Sequence, residues 1–283
     1  MIKTVLLPVA LIVIMFGMGI SLTLADFKRV FLSPKAKIVG LVLQLLALPL
    51  VAFALATLFK LPGELAVGLM VIAACPGGPT SNIISHLSKG DTALSVSLTA
   101  TSSLITIFTI PLLVEFSLEH FLGSDTGIHL SFLTTVLQLM IVTLLPIGLG
   151  LLLNAKKPEL CIRLDKPVKF FSLFFLILIV VIAVSREEDL LNQFKLAGPA
   201  AISLNLLTMT LGFGVAWILG LQKPQRITLA IETGIQNGTL ALAISLGLLQ
   251  NPRIAVPAVV YSLLMFGTGI LMILIFGRKT SEA

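Results

Sequence analysis

The amino-acid sequence predicts an all-α integral membrane fold of nine transmembrane helices, two of them interrupted near their middles. Three observations predict it. Of 283 residues 57% are apolar and 11% charged, too few polar side chains to cover a soluble globule. A hydrocarbon core about 30 Å thick takes roughly 20 apolar residues per helix, and charges with Pro and Gly clusters cut the chain into nine such runs. Two runs carry breaks that lipid cannot satisfy, "CPGGPTSN" from Cys75 to Asn82 and "ETGIQNGT" from Glu232 to Thr239.

The first run, about 4–24, follows Lys3 and leads into a basic loop. Its length and the lack of an A-x-A site make it a membrane helix rather than a signal peptide. Runs at about 37–59, 64–88 and 92–117 follow, the third run of the chain holding the first break. The fifth and sixth, about 129–154 and 167–185, are separated by a strongly basic loop. The last three, about 196–220, 226–249 and 254–277, include the second break.

Nine spans put the chain ends on opposite sides of the bilayer. Lys3, Lys60, Arg186, Lys195 and Arg253 fall on the N-terminal side, five of the nineteen Lys and Arg residues, and the other fourteen fall opposite. The positive-inside rule then sets the N-terminus outside and the C-terminus in the cytoplasm of the cell inner (plasma) membrane. The net charge of +6 follows from that asymmetry and calls for no nucleic-acid partner. Trp217, near the inner end of the seventh run, fits an interfacial anchor. Cys75 and Cys161 have no CxxC spacing and indicate neither a disulfide framework nor zinc.

In this topology the third run descends inward and the eighth rises outward, so the breaks lie in helices of opposite direction, one in each half. Such a pair marks an inverted-repeat transporter with its site at the midplane. Spans 1–4 pair with spans 6–9, and the fifth stands alone. Gly77, Gly78 and Pro79 free backbone groups that hydrocarbon penalises by several kcal/mol each, so the break faces protein or a watery cavity. Unwound carbonyls there can hold a cation, and half-helix N-termini can face an anion.

Of thirteen acidic residues only Glu232 lies well inside a span, with no Lys or Arg beside it. A carboxylate at that depth is costly, so either a cation neutralises it or it holds a proton. Hard cations such as Na⁺ take oxygen ligands. In "DTALSVSLTATSS", Ser95 and Thr99 are four apart and share a helix face, while Ser97 and Thr101 occupy another. Together with Ser81, Asn82 and Glu232 the first face makes an oxygen cage of one negative charge. Gln44 and Gln236 are lone amides, open between ligation and interhelical hydrogen bonding. An enzyme would need a nucleophile–base or metal constellation. His86 stands alone and His120 and His129 flank an outer loop, so no catalytic residue is expected.

The run "CPGGPTSNIISHLSKGDTALSVSLT", the later "ETGIQNGTLALAIS" and the early "IMFGMGISL" resemble the bile acid:sodium symporter family across essentially the whole chain. The resemblance implies a core domain, about 37–117 and 196–277, in which two discontinuous helices cross, beside a panel domain, about 4–24 and 129–185. It implies two sodium ions coupled to uptake of an organic anion by alternating access. One ion would be held by Ser81, Asn82, Ser95, Thr99 and Glu232. The other would be held by Gln44, Glu232 and Gln236, with the main chain at Thr233 and Ile235. The anion would meet Pro79, Thr80, Asn237, Gly238 and Phe266. Two positions depart from the pattern. Pro79 stands where related bacterial proteins commonly have a small polar residue, and Met265, Phe266 and Gly267 stand where some have a polar pair. The expected substrate is therefore bile-acid-like or a small carboxylate such as a keto acid or pantoate. A proton-coupled organic anion or arsenite-type carrier on the same architecture is the competing expectation, because Glu232 can exchange a proton.

Overall fold

A computed structural model of the protein describes residues 7–23, 34–123, 131–184 and 189–277. Both chain ends lie outside the described residues, as do Asp26, Asp125, His129, Glu187, Glu188 and Glu282 and also Lys3, Lys28, Arg29, Arg186, Arg278 and Lys279, the last six carrying part of the charge argument for topology. Within the described residues every regular element is helical. Helix α1 is Leu7–Ser21. Helix α2, Pro34–Leu58, contains a π-turn at Leu43–Ala47. Next come α3, Gly63–Ala74, α4, Pro79–Leu87, and α5, Thr92–Leu122. Helix α6, Phe132–Lys156, has a π-turn at Met140–Leu144. After it come α7, Pro158–Val184, α8, Leu190–Ile218, and α9, Lys223–Gly234. Helix α10, Gly238–Leu248, ends in a π-turn at Ile244–Leu248, and α11 is Pro252–Phe276.

Among the described residues five helices, α2, α5, α6, α8 and α11, are long and apolar enough to cross a membrane, while α1 over Leu11–Ser21, α3 and α10 are apolar but shorter. Local sequence explains where several helices start. Pro lies in the first turn of α4, α9 and α11, where its missing N–H costs nothing. The Asp91 carboxylate accepts the Leu94 N–H at 3.0 Å and caps α5. One boundary differs from expectation: α7 begins at Pro158, well before the apolar run near 167. Hydropathy marks only the lipid-embedded part of a helix, and the polar first turns with Glu159, Arg163 and Lys166 project beyond it.

Packing follows from residue size. Helix α1 packs along α6 and α7. A side chain on Gly19 or Gly150 would meet the main chain of the opposite helix, so small residues set how closely α1 and α6 approach. Helix α3 is buried on all sides from Leu65 to Ala74, held by α2, α5 and α11, as a helix apolar all round requires. Helix α9 runs along α8 and touches α4 and α5.

Between α3 and α4 the chain is extended, with Cys75 at φ −73, ψ 150 and Gly78 at φ −118, ψ 175. Between α9 and α10 it is extended at Ile235, φ −114, ψ 101. The two stretches touch. Gly77 and Gln236 form an antiparallel bridge, and the Asn237 N–H donates to the Pro76 carbonyl at 2.8 Å. Backbone groups that left a helix thus find partners in one another.

Candidate functional site

Glu232, in the last turn of α9, is 1% exposed and, among the described residues, has no cationic partner. Helix α5 presents Ser95 and Thr99 to its two oxygens. Ser95 Oγ stands 2.6 Å from Glu232 Oε1 and 2.8 Å from Asn82 Oδ1. Thr99 Oγ1 stands 2.9 Å from Glu232 Oε2 and 3.2 Å from the same Asn82 oxygen. Asn82 comes from the first turn of α4, so three helices converge here. Ser81 Oγ, also on α4, donates to the Gly78 carbonyl at 2.8 Å. A Cβ on Gly77 would lie 2.8 Å from Glu232 Oε2 and 3.3 Å from both Ser81 Oγ and Thr99 Oγ1. The extended link therefore passes directly over the cage, and a side chain there would displace the carboxylate oxygen. Each hydroxyl carries one proton and stands between the Glu232 carboxylate and the Asn82 carboxamide.

The second expected set is brought together in part. Gln236 is buried, and its Nε2 donates to the carbonyls of Glu232 at 3.2 Å and Thr233 at 2.9 Å, capping the end of α9; its Oε1 has no partner. Gln44 sits in the π-turn of α2, which packs on α5, α8 and α9, and neither atom of its amide is bonded. The Thr233 hydroxyl turns elsewhere, donating to the carbonyls of Leu229 at 2.7 Å or Thr208 at 2.9 Å. The Ile235 N–H donates to the Ile231 carbonyl at 2.8 Å. Both Glu232 oxygens face the first set, so the second shares only the main chain of that residue.

Sequence reasoning missed two residues that hold this end of α9. Asn205 Nδ2 on α8 and the Tyr261 hydroxyl on α11 both donate to the Gly234 carbonyl, at 2.6 and 2.8 Å. Signals existed for both: Tyr261 is the single tyrosine of the chain, and Asn205 is an amide inside an apolar helix. Buried phenols and intramembrane amides find hydrogen-bond partners.

A cavity of about 250 Å³ adjoins the two links. It is lined by all five residues expected to face the anion, Pro79, Thr80, Asn237, Gly238 and Phe266. Helix α1 contributes Met18 and Ser21 to the opposite wall, and α11 adds Ser262 and Met265. No acidic or basic side chain lines it among the described residues.

Apolar, membrane-length helices around a buried, oxygen-lined carboxylate define the class: a helical membrane protein with a polar centre. The sequence matches the sodium bile acid symporter family over residues 8–194. It is 33% identical over 271 residues to the uncharacterized sodium-dependent transporter YocS of Bacillus subtilis (strain 168), covering 95% of this chain and 82% of that protein. It is 31% identical over 255 residues to the probable sodium/metabolite cotransporter BASS1, chloroplastic, of Arabidopsis thaliana, covering 90% of this chain and 62% of the relative. It is 31% identical over 240 residues to the human sodium/bile acid cotransporter 4, covering 83% of this chain and 54% of that protein. The chain belongs to the sodium bile acid symporter family, a family of transporters and not of enzymes.

Proposed function

We propose that this protein is a sodium-coupled symporter that takes up a small organic anion by alternating access. The observation that carries this reading is a buried carboxylate, with no cationic partner among the described residues, ringed by polar groups of Ser95, Thr99 and Asn82 within 2.6–3.2 Å of one another. A cation among them is coordinated by oxygen and neutralises the buried carboxylate. The donors are all oxygen, which suits a hard ion such as Na⁺. One ion is held by Ser81, Asn82, Ser95, Thr99 and Glu232. A second is held near the end of α9 by Gln44, Gln236 and the main chain at Glu232, Thr233 and Ile235. The unbonded carboxamide oxygens of Gln44 and Gln236 support that site.

The anion occupies the neutral cavity, against the starts of α4 and α10, where helix dipoles favour negative charge. Gly77 borders the ion's ligands while Gly78 and Asn237 line the cavity, so ion and anion meet the same extended links and opposite charges brought this close favour each other's binding. The nine apolar runs are nine spans, with the N-terminus outside the plasma membrane and the C-terminus inside. Helices α1, α6 and α7 form the panel and the remainder the core. The panel reading is supported by the mutual packing of α1, α6 and α7 and by a cavity walled on one side by α1 and on the other by α4, α10 and α11.

The test is uptake of a panel of organic anions into proteoliposomes, driven by inward sodium, choline or proton gradients. Sodium should drive uptake in wild type. Glu232→Gln should abolish it without unfolding the chain, since it keeps the volume and deletes the charge. Ser95→Ala and Gln44→Ala each remove one neutral ligand and should raise the sodium requirement about tenfold, the effect of about 1.4 kcal/mol. Sodium should also raise the Tm of wild type and not that of Glu232→Gln, because an ion that binds only the folded state stabilises it by mass action. Uptake that follows protons and ignores sodium would make Glu232 a proton carrier and replace this reading with the proton-coupled one.

A further inference from the structure

Helices α6 and α7 meet with a single residue between them. The Lys157 N–H still donates to the Leu153 carbonyl at 2.7 Å, but φ −140, ψ 65 turns the chain away and Pro158 starts α7. So tight a joint gathers charge. Lys156 and Lys157 come from the end of α6 and Arg163 from the second turn of α7, and with Pro158, Glu159 and Leu160 they line a surface hollow of about 400 Å³. Three cations against one acid leave two positive charges in excess. All three cations are exposed, and among the described residues none has a hydrogen-bond or ion-pair partner. Other cations are placed differently. Lys35 donates to the Leu219 carbonyl at 2.7 Å and Arg226 to the Leu221 carbonyl, both just past the end of α8, while Arg253 pairs with Glu64 at 3.3 Å. Like charges gathered closely repel one another, and a bound anion relieves that repulsion.

The surroundings indicate which anion. Leu149 and Leu152 on α6 and Ile162 and Phe170 on α7 are apolar and exposed, all within about four turns of the joint. Positive charge beside bare apolar surface suits an anionic headgroup that carries acyl chains better than it suits a free ion. We propose that the α6–α7 joint binds the phosphate of an anionic phospholipid. Phosphate oxygens accept from Lys156, Lys157 and Arg163, the last offering two parallel N–H donors, and the acyl chains lie along the apolar flanks. On the topology proposed above the joint faces the cytoplasmic leaflet, where anionic lipids collect; the binding itself depends on neither the ion site nor the anion cavity. Asn154, at the same end of α6, donates to the Leu22 carbonyl just beyond α1 at 2.8 Å. A lipid that ties α6 to α7 therefore braces all three packed helices, α1, α6 and α7.

The experiment follows Tm of the purified protein in neutral detergent against added phosphatidylglycerol, phosphatidylcholine or glycerol 3-phosphate. Phosphatidylglycerol should raise Tm saturably, since a ligand of the folded state stabilises it by mass action. Each basic side chain beside an anionic headgroup strengthens attraction about fivefold. Replacing the three cations together, Lys156→Gln, Lys157→Gln and Arg163→Gln, should therefore raise the phosphatidylglycerol half-saturation at least about tenfold. Lys223→Gln removes an exposed cation at the start of α9, outside the hollow, and should leave the half-saturation within about twofold. Glu159→Gln removes the opposing charge and should lower it about fivefold, a gain that a misfolded variant cannot show. Equal half-saturations in wild type and the triple variant, or no tighter binding by Glu159→Gln, overturn the proposal. So does phosphatidylcholine acting at the same concentration, which would leave acyl contact alone, and so does glycerol 3-phosphate doing so, which would make the hollow a site for free phosphate esters. Stabilisation by sodium, read in the same samples, tests the carrier reading separately.

Discussion

At the scale of single residues, Gly77 belongs to the cage although it supplies no ligand. Its missing Cβ leaves the space that Glu232 Oε2, Ser81 Oγ and Thr99 Oγ1 border. Gly77→Ala should therefore raise the sodium half-saturation at least about tenfold, since a methyl group there forces the carboxylate off its partners and one tenth of the affinity is only about 1.4 kcal/mol. Gly78→Ala is the control: a Cβ there finds its nearest neighbour, Asn237 Cα, at an ordinary 3.7 Å. Sodium-dependent thermal shifts of the two variants decide the matter, and equal sodium affinities would remove Gly77 from the cage. The convergence of Asn82, Ser95, Thr99 and Glu232 was legible because a lone intramembrane acid and an i, i+4 hydroxyl pair are patterns in one dimension. Asn205, Tyr261 and Ser262 were not singled out, because one polar residue in an apolar helix has no period. Only the tertiary packing shows whether such a group is bonded, as Asn205 Nδ2 and the Tyr261 hydroxyl are, or left unpaired.

At the scale of elements, the links between helices are fixed by caps rather than by loop length. Asn237 Oδ1 accepts the Leu240 N–H at 3.1 Å and starts α10, while its own N–H ties the link to Pro76 at 2.8 Å. Asn237→Ala should lose the cap and about 1 kcal/mol of stability, lowering Tm. Asn237→Asp keeps the accepting oxygen and should hold Tm, yet it places a negative charge in the wall of the neutral cavity and should abolish anion uptake. Measuring both quantities in both variants separates the roles; an equal fall in Tm for Ala and Asp would count against the cap. The ends of α3 and α9 were legible from Pro and Gly. The π-turns were not. In α2 and α6 each lies just ahead of a proline, Pro49 and Pro146, whose missing N–H and ring disturb the carbonyl four residues back. The Leu48 N–H reaches the Leu43 carbonyl and the Leu145 N–H the Met140 carbonyl, one residue wider than an α-helical bond. Pro111 and Pro257 lie inside α5 and α11 with no such turn, so proline alone does not specify one.

At the scale of the whole molecule, a cavity shared by two groups of helices gives ligand binding leverage over their arrangement. Helices α1, α6 and α7 pack on one another, and α1 faces α4, α10 and α11 across the cavity. A ligand can shift such an arrangement only by as much as its affinities for the two states differ. A tenfold change in the population open to one side needs about 1.4 kcal/mol of difference, which one hydrogen bond to a charged group can supply. Single cysteines at Thr80 and Phe266, both in the cavity wall, report the change in a background from which the buried Cys75 and Cys161 have been removed. Labelling by a membrane-impermeant maleimide from outside should change severalfold on adding sodium, and again on adding sodium with a transported acid. The two sites should respond together, since one motion opens or closes one cavity. A cysteine at Leu206, 48% exposed on the outer face of α8, should not respond. Position 234 is unsuitable for such a probe, because Met209 fills the space a side chain would need. Sodium without effect on labelling at Thr80 and Phe266, in a protein whose Tm sodium raises, would separate ion binding from any movement of the helix groups and leave a fixed pore in place of a carrier.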